Sequence, residues 1–358
     1  MVRRLCALSK YMALIPATIL TGFLGAGKTT LLNRILREPH GHRIAVIENE
    51  FGQENIDNEI LVQDSNEQIV EMSNGCVCCT VRGDLIIALG TLAQKRNAGE
   101  LQFDHVVIET TGLANPGPVA QTFFMDEEVA THYLLDAIVT VVDARHAMQQ
   151  LDRHEEAQRQ VGFADRLLLS KTDLVNAAEV DSLTGRLKRI NPRAPVGRVD
   201  FGVLPISDVL DLRGFNLNDK LEIDPDFLAA EESAQRSAHE HEHHDCDAHC
   251  EHDHHHAHHS DNIAAFVFKS DRPFDTGRLD EFLGGLVQVY GPRMLRYKGV
   301  LWMQGADRKV VFQGVHQTMG SDVGAKWPDG EARGSKMVFI GQNLPQEIFI
   351  RGLEQCLV

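Results

Sequence analysis

Basic residues are scarce in this chain: 35 lysines and arginines stand against 51 aspartates and glutamates, a formal net charge of -16 over 358 residues. Such a composition supplies few phosphate contacts, so nucleic acid and anionic membrane are excluded as electrostatic partners. No uninterrupted apolar run of about 18 residues occurs, which removes the transmembrane class. Cysteine is sparse and odd in number, seven in all. Cys6, Cys246, Cys250 and Cys356 are scattered, which excludes a disulfide framework, favours reduced thiols or metal ligands, and makes the cytoplasm the expected compartment. The opening "MVRRLCALSKYMALIPATIL" lacks the unbroken apolar stretch of a secretory signal, because Lys10 interrupts it. Its "ATIL" runs straight into a glycine-rich stretch at Gly22, so residues 1–13 read as an extension, with Met12 a second candidate start.

What is present has the length of two domains. Between residue 15 and about 215, short β-branched apolar runs alternate with helix-compatible segments, the pattern of a parallel α/β sheet with helices on both faces. Strands are predicted at 17–20, 43–48, 68–72, 105–109, 137–143, 166–170 and 195–199. From Asn262 the order becomes strand, helix, strands at "MLRYKGVLWM", "KVVFQGVH" and "KMVFIG", and a last helix near 345–355, a smaller α+β unit. The predicted division is 14–225, a polar histidine-rich linker over 226–261, and 262–358.

The densest motif is "GFLGAGKTT". Gly22, four residues, then Gly27, Lys28 and Thr29 between a strand and a leucine-rich helix form a P-loop in its required context. Gly22, Gly25, Ala26, Gly27 and Thr30 are assigned to cradling phosphates through backbone N–H groups, Lys28 to the β and γ oxygens, and the Thr29 hydroxyl to Mg²⁺. Glu109 ends a buried strand and precedes "TTG"; it is assigned a Mg²⁺-directed carboxylate and Gly112 a phosphate-sensing role. In "LLLSKTDL" Asp173 accepts from guanine N1–H and its 2-amino group while the Lys171 stem covers the ring. Adenine offers no such paired donors, so GTP is the predicted nucleotide.

"SNGCVCCTVRGDL" places Cys76, Cys78 and Cys79 within four positions. No second C-x-x-C pair exists to close a four-cysteine zinc site, so three thiolates leave a position open for exchange. A structural zinc and inert buried cysteines are the alternatives. The tract at 239–260 holds His239, His241, His243, His244, His249, His252, His254, His255, His256, His258 and His259, eleven of the 18 histidines, interleaved with six acids. Its composition predicts a disordered, weak, multi-ion collector; a plain solvated linker is the alternative. His316 reads as a structural histidine.

Taken together, "LTGFLGAGKTTLLNRIL", "IAVIENEFG", "NGCVCCTVRGDL", "VVIETTGLANPGPV", "LLSKTDL", "LRYKGVLWM", "QGVH" and "MVFIG" resemble the CobW-type metal-handling GTPases, in particular their bacterial YjiA-like branch. The resemblance spans nearly the whole chain. It implies a P-loop GTPase domain with a CobW C-terminal domain, slow GTP hydrolysis, and divalent metal at the C-x-C-C segment, with Glu48 retained as an associated acid. A GTP-hydrolysing metallochaperone follows as the expectation, with Zn²⁺ as cargo, a client apo-metalloprotein as partner and self-association left open. Cobalt or nickel insertion and zinc storage with incidental GTPase activity are the alternatives. Two departures stand out. Ser170 occupies the place where many GTPases have asparagine, which predicts a weakened contact to the loop or base. Gln53 and then Glu54 follow Gly52, where relatives put an acid directly after the glycine.

Overall fold

The computed structural model describes residues 14–48, 81–215, 225, 227–229, 261–328, 330 and 332–358. The strand expected at 68–72, Cys76, Cys78, Cys79 and the histidine tract lie outside these.

The N-terminal half alternates strand and helix as its apolar runs require: β1 (Ile15–Gly22), α1 (Lys28–Arg37), β2 (Ile44–Glu48), α2 (Val81–Asn97), β3 (His105–Glu109), α3 (Pro116–Met125), α4 (Glu127–His132), β4 (Tyr133–Asp143), α5 (Ala147–Arg153), α6 (Glu155–Phe163), β5 (Arg166–Ser170), α7 (Ala177–Ile190) and β6 (Val196–Arg198). The six strands form one parallel sheet in the order β2-β3-β1-β4-β5-β6. Both faces are covered. Leu20, Val46, Val107, Val139 and Leu168 pack under α1, while Ile19, Ile47, Ile108 and Ile138 belong to the core on the other face. α7 illustrates the local logic. Asn176 and Glu179 form a reciprocal capping box at its start, Lys188 and Arg189 oppose the dipole at its end, and Val180, Leu183, Leu187 and Ile190 make one buried stripe.

Because all six strands run the same way, their C-terminal ends form one edge, where ligands of such sheets bind. Gly22, Glu48, Glu109, Asp143 and Ser170 all end strands there. The opposite edge carries His105, fully enclosed, with its Nε2 2.9 Å from Thr18 Oγ1. Burial, against the pull of Asp211, draws its pKa down to about 4.

The C-terminal half is β7 (Ile263–Ser270), α8 (Thr276–Tyr290), β8 (Met294–Leu301), β9 (Arg308–Val315), β10 (Thr318–Lys326), β11 (Ser335–Gln342) and α9 (Gln346–Gln355), with an antiparallel sheet ordered β10-β9-β8-β11-β7. β10 is absent from the sequence expectation: "TMGSDVGAK" is an edge strand exposed along most of its length, so it has no apolar alternation to announce it. One face of this sheet packs its aromatic residues, Phe266, Tyr297, Phe312 and Phe339 among them, with α8 and α9. The other face sends Ile263, Ala265, Val267, Leu295, Val315, Val338 and Ile340 into the same core as Val161, Phe163 and Leu187 of the first half. The two sheets therefore share a core.

Buried charge stitches that seam. Asp165, just before β5, accepts from Arg193 at 2.8 Å, from Arg296 of β8 at 3.2 Å and from the Ile138 backbone N–H at 3.0 Å. Burial pushes its carboxyl up, but the two guanidiniums and the backbone donor outweigh that and hold it below the usual carboxylate range. Arg296 also lies over the Phe215 ring at 3.4 Å, and burial draws it to about 9. Asp165→Asn leaves two buried cations short of their counter-charge, so a loss of about 3–5 kcal/mol is expected in urea unfolding. The sign with pH follows: a depressed folded-state pKa contributes stability that is present above the unfolded value and lost as pH falls through the folded one. The variant should accordingly show a flatter acid limb than the wild type.

Candidate functional site

The P-loop links β1 to α1 across the C-terminal edge. Gly22 has φ 147°, and a Cβ there would come within 2.3 Å of the Val141 carbonyl oxygen, so only glycine lets the chain leave β1 beside β4. Gly27, left-handed at φ 99°, precedes α1, which has no side-chain cap and no acid in its first turn. Its N-terminal N–H groups are thus left for an anion. Lys28 Nζ folds over the loop, donating to the carbonyls of Gly22 at 2.9 Å and Phe23 at 3.5 Å. Burial lowers its pKa, with Glu109 acting in the opposite sense.

Thr29 Oγ1 donates to Glu109 Oε1 at 2.8 Å, and Glu109 pairs in register with Glu48 on β2. A hydroxyl and carboxylates thus meet beside the loop. Behind them Thr110 donates to Thr21 at 2.8 Å. Gly112 follows so tightly under the P-loop that a Cβ would meet the Leu24 backbone nitrogen at 2.7 Å. Gln160 of α6 holds this turn by donating to Gly112 O at 3.1 Å and Ala114 O at 3.0 Å, and Asn115 then caps α3.

On the other side of the loop, Lys171 has a left-handed backbone at φ 56°, which turns "SKTD" out of β5 and leaves Asp173 exposed. Lys171 Nζ is tethered to Asp143 Oδ2 at 2.8 Å. Asp143 is nearly enclosed. Burial raises its pKa, yet Lys171, His146 and the Arg145 N–H prevail and hold it below the usual range. The 3₁₀ turn at Thr172 is fixed by Asp200, which accepts from its N–H at 2.8 Å and its hydroxyl at 2.6 Å. Next to it Phe201 is 76 % exposed at φ 55°. Ser170 does not forfeit the loop contact, since its Oγ donates to Ala26 O at 2.6 Å and links base turn to P-loop. Asp143, Asp200 and Phe201 escaped sequence reasoning. Asp143 could have been found as the acid ending a long apolar strand; Asp200 and Phe201 carry no such signal.

Of the sequence-assigned residues, the structure brings together Gly22, Gly25, Ala26, Gly27, Lys28, Thr29, Thr30, Glu48, Glu109 and Gly112, and places Lys171 and Asp173 on the turn across the loop. His316 sits apart. Its ring meets Phe163 edge-on at 5.1 Å, its Nδ1 lies 3.3 Å from Gly291 O, and it packs so closely on Gly117 that a Cβ there would stand 2.6 Å from its Nε2. Among the described residues, no three His, Cys, Asp or Glu side chains already stand in a metal-holding arrangement, and no helix is long and apolar enough to cross a membrane.

This arrangement has known counterparts. The family model described as "CobW/HypB/UreG, nucleotide-binding domain" matches residues 16–198, and "Cobalamin synthesis protein cobW C-terminal domain" matches residues 263–357. The chain belongs to the CobW family. Among its relatives, "Zinc chaperone YjiA" of Escherichia coli (strain K12) is 41% identical over 333 residues, covering 93% of this chain and 96% of the relative. "Zinc chaperone CobW" of Pseudomonas aeruginosa is 35% identical over 380 residues, covering 97% and 93%. The crystal structure of Zn(II)-bound YjiA GTPase from E. coli matches at TM-score 0.74 and 37% identity, over 97% of this chain and all of the other. With that fold and its P-loop, this CobW-family protein is a P-loop GTPase.

Proposed function

We propose that this GTPase is a zinc metallochaperone in which nucleotide state governs a thiolate metal site. One observation carries the reading. Glu48 ends β2 directly beside its register partner Glu109 on β3, and Glu109 is bonded to Thr29 of the P-loop. The segment bearing Cys76, Cys78 and Cys79 leaves the sheet directly after Glu48 and rejoins α2 at Val81, two residues past Cys79. The end of that segment at Glu48 is therefore rooted beside the Thr29–Glu109 pair, where γ-phosphate would be sensed, and relatives named as zinc chaperones support the cargo.

The roles follow from the groups. The P-loop N–H groups and Lys28 bind and polarise the phosphates, Gly112 keeps the turn after β3 against Leu24, and Asp173 reads guanine with Lys171 held in place by Asp143. Thr29 and Glu109, an oxygen pair 2.8 Å apart, suit Mg²⁺, which when bound would neutralise charge developing between the β and γ phosphates. Ordering of the Glu48 and Glu109 region by GTP brings the thiolates into ligating geometry, and hydrolysis relaxes it so that zinc passes to a client apoprotein.

The double replacement Cys78→Ser with Cys79→Ser is expected to eliminate one tight Zn²⁺ and its effect on GTPase rate, because neutral hydroxyls replace thiolates poorly on this ion. Competition titration with a chromophoric chelator, in GDP and in a non-hydrolysable GTP analogue, checks both parts. Retention of the tight phase, or equal wild-type affinities in the two nucleotide states, defeats the reading.

A further inference from the structure

At the edge of the sheet away from the P-loop, two imidazoles converge on one carboxylate. Thr18 Oγ1 donates its only proton to Asp136 Oδ2 at 3.1 Å, so toward His105 it can only accept. Asp136 also accepts from the backbone N–H groups of Leu212 at 3.2 Å and Arg213 at 2.8 Å; burial raises its pKa, while these two donors and the Thr18 hydroxyl act in the opposite sense. The network thus assigns the His105 proton to Nε2, bonded to Thr18 at 2.9 Å. Nδ1 is left with a bare lone pair. It is buried, makes no hydrogen bond, and stands 3.9 Å from Asp211 Oδ1.

A lone pair facing a carboxylate oxygen across that gap is repulsive unless something positive lies between them. His42 repeats the situation: its Nδ1 faces Asp104 at 3.9 Å and its Nε2 faces Asp211 Oδ2 at 3.9 Å. Asp104 is itself occupied by the Arg43 N–H at 2.9 Å and guanidinium at 3.2 Å, which suits it to orienting His42. His40 spends Nε2 on the Ile35 carbonyl and Nδ1 on the His42 N–H, so it is not a donor here. Asp211 is held at φ 57° by the same turn that Asp136 pins.

We propose that His105 Nδ1, His42 Nε2 and the Asp211 carboxylate bind a divalent transition-metal ion. Two imidazole nitrogens and a carboxylate suit Zn²⁺, Co²⁺ or Ni²⁺, with solvent as a fourth ligand. Thr18 and Asp136 supply the outer support that a ligating histidine takes on its second nitrogen. Tetrahedral donors stand ~3.3 Å apart, whereas each nitrogen is 3.9 Å from its own oxygen of Asp211 and the two rings are 6.4 Å apart between centroids, so the three groups are not in ligating geometry as they stand and the ion must draw His42 and Asp211 inward toward His105. The half-exposed Asp211 and the partly exposed His42, 55% and 33% accessible, have the freedom for that movement. β3 runs from His105 to Glu109, placing this site about 13 Å from the Thr29–Glu109 pair. It needs neither the thiolates nor the nucleotide and stands independently of the chaperone reading. Asp211 lies on the turn leading into the segment that holds the histidine tract, so an ion here would fasten the root of that segment to β2 and β3.

The test uses the full chain crystallised with Co²⁺, and anomalous difference maps at the cobalt edge. A peak within about 2.3 Å of His105 Nδ1, kept in the Cys78→Ser, Cys79→Ser background and lost in both Asp211→Asn and His42→Ala, is the expected result. Equilibrium dialysis in the Cys-to-Ser background should show at least a tenfold weakening of one Co²⁺ in each variant, with basal GTP turnover unchanged. His105 is left intact because its replacement endangers folding. Density without anomalous signal means a bridging water and overturns the proposal. A peak that persists in Asp211→Asn marks an adventitious ion only and overturns it equally.

Discussion

Lys28→Ala is expected to reduce GTP turnover by at least 10²- to 10³-fold, on the order of losing a preorganised donor to the transferring phosphoryl group. The ammonium sits over the loop on the carbonyls of Gly22 and Phe23, within reach of whatever the loop encloses. No other cation of α1 can take over. Arg34 and Arg37, the other basic residues of α1, lie in its last turn, away from the phosphates. Single-turnover hydrolysis checks the outcome, and near-ultraviolet circular dichroism guards against misfolding, since Lys28 is buried. Turnover within threefold of wild type would remove Lys28 from the phosphate site.

Asp173→Asn should reverse base preference, with GTP losing to xanthosine triphosphate by a factor on the order of 10 to 10². The figure is that of a hydrogen bond to a charged group, since Asp173 is exposed. An amide donates where guanine also donates, whereas the xanthine carbonyl accepts. The reversal requires the turn to stay put, and Asp200 and Asp143 hold it from both sides through Thr172 and Lys171. Competition binding with both nucleotides decides it, and unchanged GTP selectivity would move base reading away from this turn.

How much was legible beforehand depended on how locally each feature is determined. The P-loop, "SKTD" and the alternating strands declare themselves because contiguous residues specify each of them. Glu109 was legible because a buried strand must end in something polar at the ligand edge. For Ser170 the sequence predicts a weakened contact, and which partner the short hydroxyl reaches was not legible, because its bond to Ala26 depends on the approach of β5 to the loop, across 144 positions. Asp143 to Lys171, Asp200 to Thr172 and Asp165 to Arg296 are likewise pairings that only the folded chain creates. β10 escaped because an exposed glycine-containing edge strand buries too little to impose a pattern. The share of His105 and His42 in one cluster was invisible for the same reason, since Asp211 arrives from more than 100 residues away.

The common core of the two sheets has a consequence during synthesis. α6 and α7 emerge from the ribosome with Val161, Phe163 and Leu187 ready to be covered, but their partners on β7, β8, β9 and β11 begin at Ile263 and end at Ile340. At roughly 5–20 residues per second, the nascent GTPase half waits about 10 to 35 seconds with that apolar flank bare. During that interval the long acidic, histidine-rich segment is the stretch being made. Its charge and polarity make it a poor competitor for the uncovered surface, so the flank stays available for the strands that follow.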